Sequence, residues 1–335
     1  MACVVLLGGC GERNIVRTGP PIPEAKSQTI YVAAQRDFDD PGPSFGGRRP
    51  TELSYARITV GIPPSHKTGN VEWPDETPDP STDFVVTSSR RFPSGEAMRR
   101  DLRAHQGQRE TVLFIHGYNN TMGQALFRFA QIKEDFGVDA PSVLFSWASA
   151  GVPSGYAYDR DSVLYARDDL EATLRGLSRD GEKVFILAHP MGAQLAMETM
   201  RQAAIRGDRQ LLSRISGVAL MSPDIDPQLF RRQARAIGQL PQPFFIFISR
   251  EDRALDIASL ITGRKPRLGG IRDPREVAGL DVHVVDFTAL SNGEGLNHSI
   301  PVSSASAVGV VRGMIEKAES GVAAFERYLV LPAQP

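Results

Sequence analysis

The residues best suited to chemistry in this chain stand directly after predicted strands. His298 follows the last strand predicted in the main sheet, Asp252 follows the strand predicted at 244–248, and Asp224 follows the strand before that. A histidine held by a carboxylate removes the proton of a nucleophile, so this set predicts acyl transfer if a nucleophile lies beside it. Asp252 and Asp224 remain alternative candidates for the acid, because each could instead cap the helix that follows it.

The nucleophile is expected at residue 190. An apolar run at 183–188 is followed by a tight turn, His189 to Gly192, and then by a helical pattern at 193–200. This is the layout of a nucleophile elbow, G-x-S-x-G, with Ala188 and Gly192 as the small residues. The centre is Pro190, which has no hydroxyl and holds φ at about −65°. We therefore expect a relaxed turn and no acyl-enzyme at this position.

Two backbone N–H groups are the expected oxyanion donors. His116, Gly117 and Tyr118 follow the strand predicted at 111–115, and Gly117 allows a close approach of backbone to ligand. The N–H of Tyr118 would be one donor and that of Met191 the other. His116 and His189, with Gly117 and Gly192, are predicted to shape the site, because His298 is the histidine that fits the chain order. Ser146, Ser149 and Ser222 lie near strand ends, but none stands in a turn of the elbow type.

The elements that must position these residues alternate between strand and helix from residue 111 onward. Such alternation predicts an α/β fold, with a mostly parallel central sheet and helices on both faces, plus N-terminal strands near 29–33, 53–62 and 83–87. One helix is expected over 159–177. We predict a signal-like N-terminus and tether at 1–27, a single domain at 28–325 and a tail at 326–335. Within the domain, 28–105 holds N-terminal strands and loops and 106–325 the catalytic core.

Composition excludes several classes of function. The net charge of −1 gives no global field to attract nucleic acid, and no apolar run is long enough to span a bilayer. Neither the histidines nor the two cysteines, Cys3 and Cys10, have metal-ligand spacing, and no glycine-rich phosphate loop is present. We therefore expect no metal, no cofactor and no nucleic-acid partner.

The first ten residues are apolar and end in Leu7-Gly8-Gly9-Cys10. This ending resembles the lipobox of bacterial lipoprotein signals, in which the cysteine becomes the lipid-bearing residue. The resemblance implies membrane attachment through a lipidated Cys10 and a place in the bacterial cell envelope, facing the periplasm. The alternative is an apolar end without lipid on a cytoplasmic protein.

Taken together, the motifs resemble a bacterial α/β-hydrolase family of poorly defined function, similar to esterases and lipases. The resemblance covers about 28–315 and rests on the segments at 112–120, 144–147, 188–192, 252–255 and 297–299, on Tyr158-Asp159 with Ser162, and on the N-terminal segments 30–36 and 53–69. It implies an α/β-hydrolase fold and a serine hydrolase with a small-molecule ester or related acyl substrate.

In that family the elbow reads His-Ser-Met-Gly, and the serine is the nucleophile. Carried over by position, Pro190 replaces the nucleophile, Asp252 or Asp224 matches the acid, and His298 matches the base. The chain is then a serine hydrolase by lineage that is impaired or inactive as written. The alternative is a non-catalytic binding protein of the envelope that retains the hydrolase cleft.

Overall fold

A computed structural model describes residues 16–36, 49–106, 110–261, 263, 265–290, 300–319 and 328–331. His298 and Cys10 lie outside these ranges, and so does the predicted domain boundary at 325. The predictions for the base and for the lipid anchor therefore remain predictions.

Among the described residues, ten strands form one sheet. They are β1 (Lys26–Ala34), β2 (Ser54–Ile62), β3 (Val85–Phe92), β4 (Thr111–Ile115), β5 (Ser142–Ser146), β6 (Val184–Ala188), β7 (Ile215–Met221), β8 (Phe244–Ile248), β9 (His283–Asp286) and β10 (Tyr328–Val330). The central strands are short, almost unbroken apolar runs, as expected for parallel strands covered on both faces.

The sheet order is β10-β9-β8-β7-β6-β4-β5-β1-β2-β3. Neighbouring strands from β10 to β1 pair in parallel, whereas β2 pairs antiparallel with both β1 and β3. In this sheet β2 alone therefore runs against the others, which confirms the mostly parallel sheet predicted from the sequence.

The helices are α1 (Gly95–Gln106), α2 (Met122–Phe136), α3 (Tyr156–Tyr165), α4 (Arg167–Leu177), α5 (Met191–Ile205), α6 (Arg209–Arg214), α7 (Pro227–Ile237), α8 (Arg253–Ile261), α9 (Ile300–Ser303) and α10 (Ala305–Glu319). Short 3-10 turns lie at Pro153–Gly155, Leu268–Gly270, Pro274–Val277 and Thr288–Leu290. Helix α2 has a complete capping box between Thr121 and Gln124 and ends at Gly137 in the left-handed conformation, so both of its ends are satisfied locally.

The sheet separates two apolar cores. On one face, α1, α3, α4, α5 and α7 pack on alternate strand residues such as Ile186 and Ala188. On the other face, α2 and α10 pack with the remaining strand residues, including Phe114 and Phe245. Because side chains alternate along a strand, the central strands contribute to both cores, and this fixes the register of the sheet.

One predicted helix is two helices in the structure. The sequence pattern predicts a single helix over 159–177, but α3 and α4 meet at the fully buried Ala166, which has φ −75° and ψ −8°. The ψ angle of −8° departs from the α-helical value of about −42°, so the helix is interrupted at Ala166. The small side chain lets the junction pack against the core. The helical periodicity continues across the break, which is why the sequence does not reveal it.

Two predicted boundaries at the chain ends are wrong for the residues that the structure describes. Val16 is buried, and Thr18 forms a bridge with Val86, where the sequence predicts a tether. Tyr328–Val330 pair with β9 as a strand, where the sequence predicts a tail. In both cases a short segment takes up the unpaired N–H and C=O groups along an edge strand, a long-range contact that local sequence does not encode.

None of the helices among the described residues is long and apolar enough to cross a membrane.

A partly buried histidine connects the loop between β2 and β3 to helix α2. His66 Nδ1 lies 2.7 Å from Glu72 Oε2, and its Nε2 lies 3.0 Å from Asp135 Oδ1 on α2. The other oxygen of Asp135 accepts the N–H of Gly69 at 2.7 Å. Burial alone would lower the pKa of His66. The hydrogen bonds that its ring makes to the carboxylates of Asp135 and Glu72 outweigh this effect, so the pKa is raised.

This raised pKa predicts a pH-dependent contribution to stability. The contribution is full below the unfolded-state pKa of about 6.5 and is lost as the pH rises through the higher folded-state pKa. The difference in unfolding free energy between the unaltered protein and His66→Gln should therefore shrink as the pH rises above the unfolded-state pKa of about 6.5, measured by urea denaturation.

His105→Gln is the matched control, because the His105 side chain is 53% exposed. A difference for His66→Gln that stays constant, or grows with rising pH, would contradict the assignment.

Candidate active site

The predicted site residues that the structure describes follow the carboxyl ends of parallel strands. Ile115 pairs with Ala188 and Ala188 pairs with Leu220, so the carboxyl ends of β4, β6 and β7 are level. The turns that follow these strands therefore meet. Ligand sites in open parallel sheets form at this carboxyl edge.

The turn at 188–192 has the connectivity of an elbow but a relaxed backbone. Strand β6 ends at Ala188, and α5 begins at Met191 with Pro190 as its N-cap. Pro190 has φ −74° and ψ −39°, which are helical values. The Gly192 N–H donates to the His189 carbonyl at 3.1 Å, which closes the turn. The backbone at position 190 is thus part of the first helical turn.

Two glycines allow this turn to pack directly on the end of β4. A Cβ at Gly192 would lie 2.5 Å from the carbonyl oxygens of Ile115 and His116. A Cβ at Gly117 would lie 2.0 Å from Pro190 Cδ. The Cδ side of the proline ring therefore packs against Gly117 in the loop after β4.

The two predicted oxyanion donors are the N–H groups of Tyr118 and Met191. Met191 is the first residue of α5, where backbone N–H groups have no partner inside the helix. Neither N–H donates to any other residue in the part of the chain that the structure describes. Contact between Gly117 and Pro190 brings the two segments that carry these groups together.

His116 is buried and neutral. Burial, and then the nearby charge of Arg36, lower its pKa to about 3. Its ring stacks on Trp147, with centroids 5.0 Å apart, and Nδ1 lies 2.9 Å from the carbonyl oxygen of Gly117. Since a carbonyl oxygen only accepts hydrogen bonds, Nδ1 carries the proton and Nε2 accepts from Ser146 Oγ at 3.3 Å. These contacts use the ring to hold the loop in place.

None of the three serines considered as substitutes for the nucleophile is open to a substrate. Ser146 and Ser222 are fully buried, and Ser149 is 1% exposed. Ser149 Oγ donates to Asp159 at 2.6 Å, and Ser146 Oγ lies within hydrogen-bond distance of Arg36 and His116. Ser222 has the unusual φ of 43°, but it is enclosed by the segment at 268–270.

The two candidate acids have different surroundings. Asp252 is buried at the start of α8, and its Oδ1 accepts the N–H of Leu255 at 3.0 Å. It therefore caps α8, one of the roles open from the sequence. Asp224 is also buried, and its N–H donates to the carbonyl of Pro190 at 3.0 Å. This bond ties the turn after β7 to the elbow.

Both carboxylate oxygens of Asp224 face partners. Arg267 Nε lies 3.0 Å from Oδ1, and the Tyr156 hydroxyl donates to Oδ2 at 2.8 Å. Arg267 and Tyr156 are buried as well, and burial raises the pKa of Tyr156. The sequence analysis missed this pair of partners, because three segments that are far apart in the chain supply the group.

A cavity of about 440 Å³ lies elsewhere, on the sheet face covered by α2 and α10. It is mostly apolar, and Phe129, Phe185, Leu187 and Phe247 line part of it. Phe185 and Leu187 point to the face opposite Ile186 and Ala188, so this cavity is not the space above the elbow. Among the residues described here, no three His, Cys, Asp or Glu side chains are grouped so that they could hold a metal ion.

Comparisons with known proteins give one family. The family model described as "Alpha/beta hydrolase of unknown function (DUF900)" matches residues 93–315. No match was found among curated proteins.

Solved structures of hydrolases are similar at low identity. An esterase from Pyrobaculum calidifontis is 14% identical, with 91% of this chain and 88% of that chain covered and a TM-score of 0.37. A predicted CIB-like hydrolase from Thermoplasma acidophilum is 12% identical, with coverages of 88% and 99% and a TM-score of 0.41. An esterase from Rhizomucor miehei is 10% identical, with coverages of 89% and 86% and a TM-score of 0.38.

The buried contact between Asp224 and Arg267 predicts a large effect of removing one partner. Arg267→Met should lower the unfolding free energy by about 3–5 kcal/mol, because a buried carboxylate loses its cation. Urea denaturation measures this loss. Adding Asp224→Asn to the Arg267→Met variant should recover part of it, since the buried charge is then gone. A loss below about 1 kcal/mol, or no recovery, would show that the pair is solvated.

Proposed function

The chain belongs to the α/β-hydrolase family described as DUF900 and has the α/β-hydrolase fold, and on this premise we propose that it descends from serine esterases and has Pro190 in place of the nucleophile. The observation that carries the proposal is the turn between β6 and α5. Its residue 190 contacts Gly117, and the N–H groups of Tyr118 and Met191 donate to no residue that the structure describes.

The reaction of the lineage assigns a role to each group. A hydroxyl at position 190 attacks the ester carbonyl while His298 takes its proton. The N–H groups of Tyr118 and Met191 stabilise the oxyanion that forms. His298 then returns the proton to the alcohol that leaves, and water releases the acyl group by the same steps in reverse order. The substrate is a small-molecule ester or a related acyl compound.

We assign the acid to Asp252. Asp224 already faces a guanidinium and a phenol, so its carboxylate is committed to holding the segment that carries Arg267. Asp252 caps α8 through Oδ1, and it follows β8, as the chain order of this class requires. In this role it would hold the tautomer of His298 and stabilise the imidazolium.

Pro190 removes the first step. The side chain has no hydroxyl, so no acyl-enzyme forms at this position. The ring also holds φ at −74°, whereas a strained elbow turns its nucleophile out of the helix. In this proposal the chain therefore keeps the N–H groups that would bind the oxygen of an acyl group, and it lacks the nucleophile that would attack the acyl carbon.

Pro190 also suggests an alternative function, which is ligand binding without catalysis. A cleft that keeps its oxyanion donors without a nucleophile can bind an ester or a carboxylate without consuming it. We therefore keep, as the alternative proposal, a non-catalytic binding protein of the cell envelope that retains the hydrolase cleft.

Pro190→Ser should restore hydrolysis of short p-nitrophenyl esters and labelling by a fluorophosphonate probe. We expect activity about 10³-fold or more above that of the unaltered chain, because the nucleophile is the group on which the other groups act. Pro190→Ala is the matched control, since it also removes the ring but adds no hydroxyl. It should stay at the background rate.

The same Pro190→Ser background tests the acid and the base. His298→Ala and Asp252→Ala should each abolish most of the restored activity, whereas Asp224→Ala should act mainly through stability. If Pro190→Ser is neither active nor labelled, the serine-hydrolase proposal fails. Turnover by the unaltered chain through a covalent intermediate would contradict the role given to Pro190.

We further propose that Cys10 is lipidated and attaches the protein to the bacterial envelope membrane. Labelled palmitate should enter the full chain expressed in a bacterium, and Cys10→Ala should abolish this incorporation. Cys3→Ala is the matched control and should keep the label. An unlabelled chain, or loss of label only with Cys3→Ala, would contradict the proposal and favour the cytoplasmic alternative.

A further inference from the structure

The loop that carries the predicted oxyanion donor Tyr118 is held by buried ionisable side chains from outside it. These residues are Arg36, just after β1, and Asp159, in α3. Asp159 is fully buried, Arg36 is 3% exposed, and neither has a role in the reaction described above. Burying a charge is costly unless polar partners compensate it, so the contacts of these two groups indicate what they do.

Asp159 holds the loop from one side. Its Oδ2 accepts the Asn119 N–H at 3.0 Å and the Ser149 hydroxyl at 2.6 Å, and its Oδ1 accepts the Ala150 N–H at 2.6 Å. Ser149 Oγ in turn accepts the Asn120 N–H at 3.1 Å. The carboxylate thus fixes two successive loop N–H groups, one directly and one through Ser149.

Arg36 holds the loop from the other side. Its guanidinium donates to the Asn120 carbonyl at 3.0 Å and to Ser146 Oγ at 3.2 Å. Asn120 therefore has its N–H tied to the Asp159 side and its C=O tied to Arg36. Burial lowers the pKa of Arg36 to about 10, so the guanidinium remains charged at neutral pH.

These contacts keep a strained backbone in place. Asn119 has φ 56°, in the left-handed region, which costs free energy for a residue other than glycine. The strained residue follows Tyr118 directly, so the contacts hold the chain one residue beyond the predicted donor. A strained conformation of this kind persists only where the surroundings determine it fully.

We propose that Asp159 and Arg36 form a clamp whose task is to aim the Tyr118 N–H at the oxyanion of the acyl substrate. Asp159 and Arg36 are positioning residues in this scheme, because they act through the loop and do not touch the substrate. The inference rests on the proposed function for its chemical purpose, whereas the clamp itself is a property of the loop.

Two variants probe the clamp, with one control. Asp159→Asn keeps the size of the side chain but replaces one acceptor oxygen by a donor. Ser149→Ala is the milder variant, since it removes only the link to Asn120 and leaves the carboxylate. Asp169→Asn is the matched control, because Asp169 is also partly buried but accepts from Gln35 at 2.6 Å instead of from the loop.

Amide hydrogen exchange in the chain as it stands is the first measurement. Asp159→Asn should speed exchange in peptides spanning 114–122 by about tenfold, and Ser149→Ala should do so by less. Asp169→Asn should leave these peptides unchanged. Equal loop exchange in the unaltered chain and in both loop variants overturns the clamp, whatever the chain catalyses.

Ester hydrolysis in the Pro190→Ser background is the second measurement. Asp159→Asn should lower kcat by about 10- to 100-fold and leave KM nearly unchanged, since a misdirected donor weakens the transition state selectively. Faster loop exchange with an unchanged kcat overturns the aiming role. If Pro190→Ser proves inactive while Asp159→Asn still speeds loop exchange, the proposed function fails and the clamp stands as a structural feature.

Discussion

The close approach of helix α5 to the end of β4 is the constraint on which the rest of the site depends. Gly192 and Gly117 leave no room for a Cβ, so the first turn of α5 lies directly against the backbone at Ile115 and His116. The turn at 188–192, the loop after β4 and the N-terminus of α5 are thereby packed together. Asp224 adds a further backbone bond to the carbonyl of Pro190.

The sequence predicts much of this arrangement, for a physical reason. Short apolar runs such as 111–115 and 244–248 can be buried only as central strands, and the turns after parallel strands must share one edge. Local pattern therefore suffices to place Pro190, Asp252 and Tyr118 after strands that end at the same edge of the sheet. The base is predicted only by chain order, because His298 lies outside the described residues.

What the sequence does not predict comes from contacts between distant segments. Arg267 approaches Asp224 from a separate segment, so the sequence leaves the two acids unresolved. The break at Ala166 is hidden by a periodicity that continues across it, and the strand at Tyr328–Val330 exists because β9 has an open edge. The clamp of Arg36 and Asp159 is likewise visible only once the fold brings three segments together.

The central claim is that Pro190 stands in the nucleophile position of a serine-hydrolase elbow and that the N–H groups of Tyr118 and Met191 are the oxyanion donors. A crystal structure of Pro190→Ser after reaction with a fluorophosphonate tests this most directly. The account predicts phosphorus bonded to the introduced hydroxyl, with the phosphonyl oxygen within about 3 Å of the N–H groups of Tyr118 and Met191. An adduct on another side chain, or a phosphonyl oxygen that meets neither N–H, would contradict it.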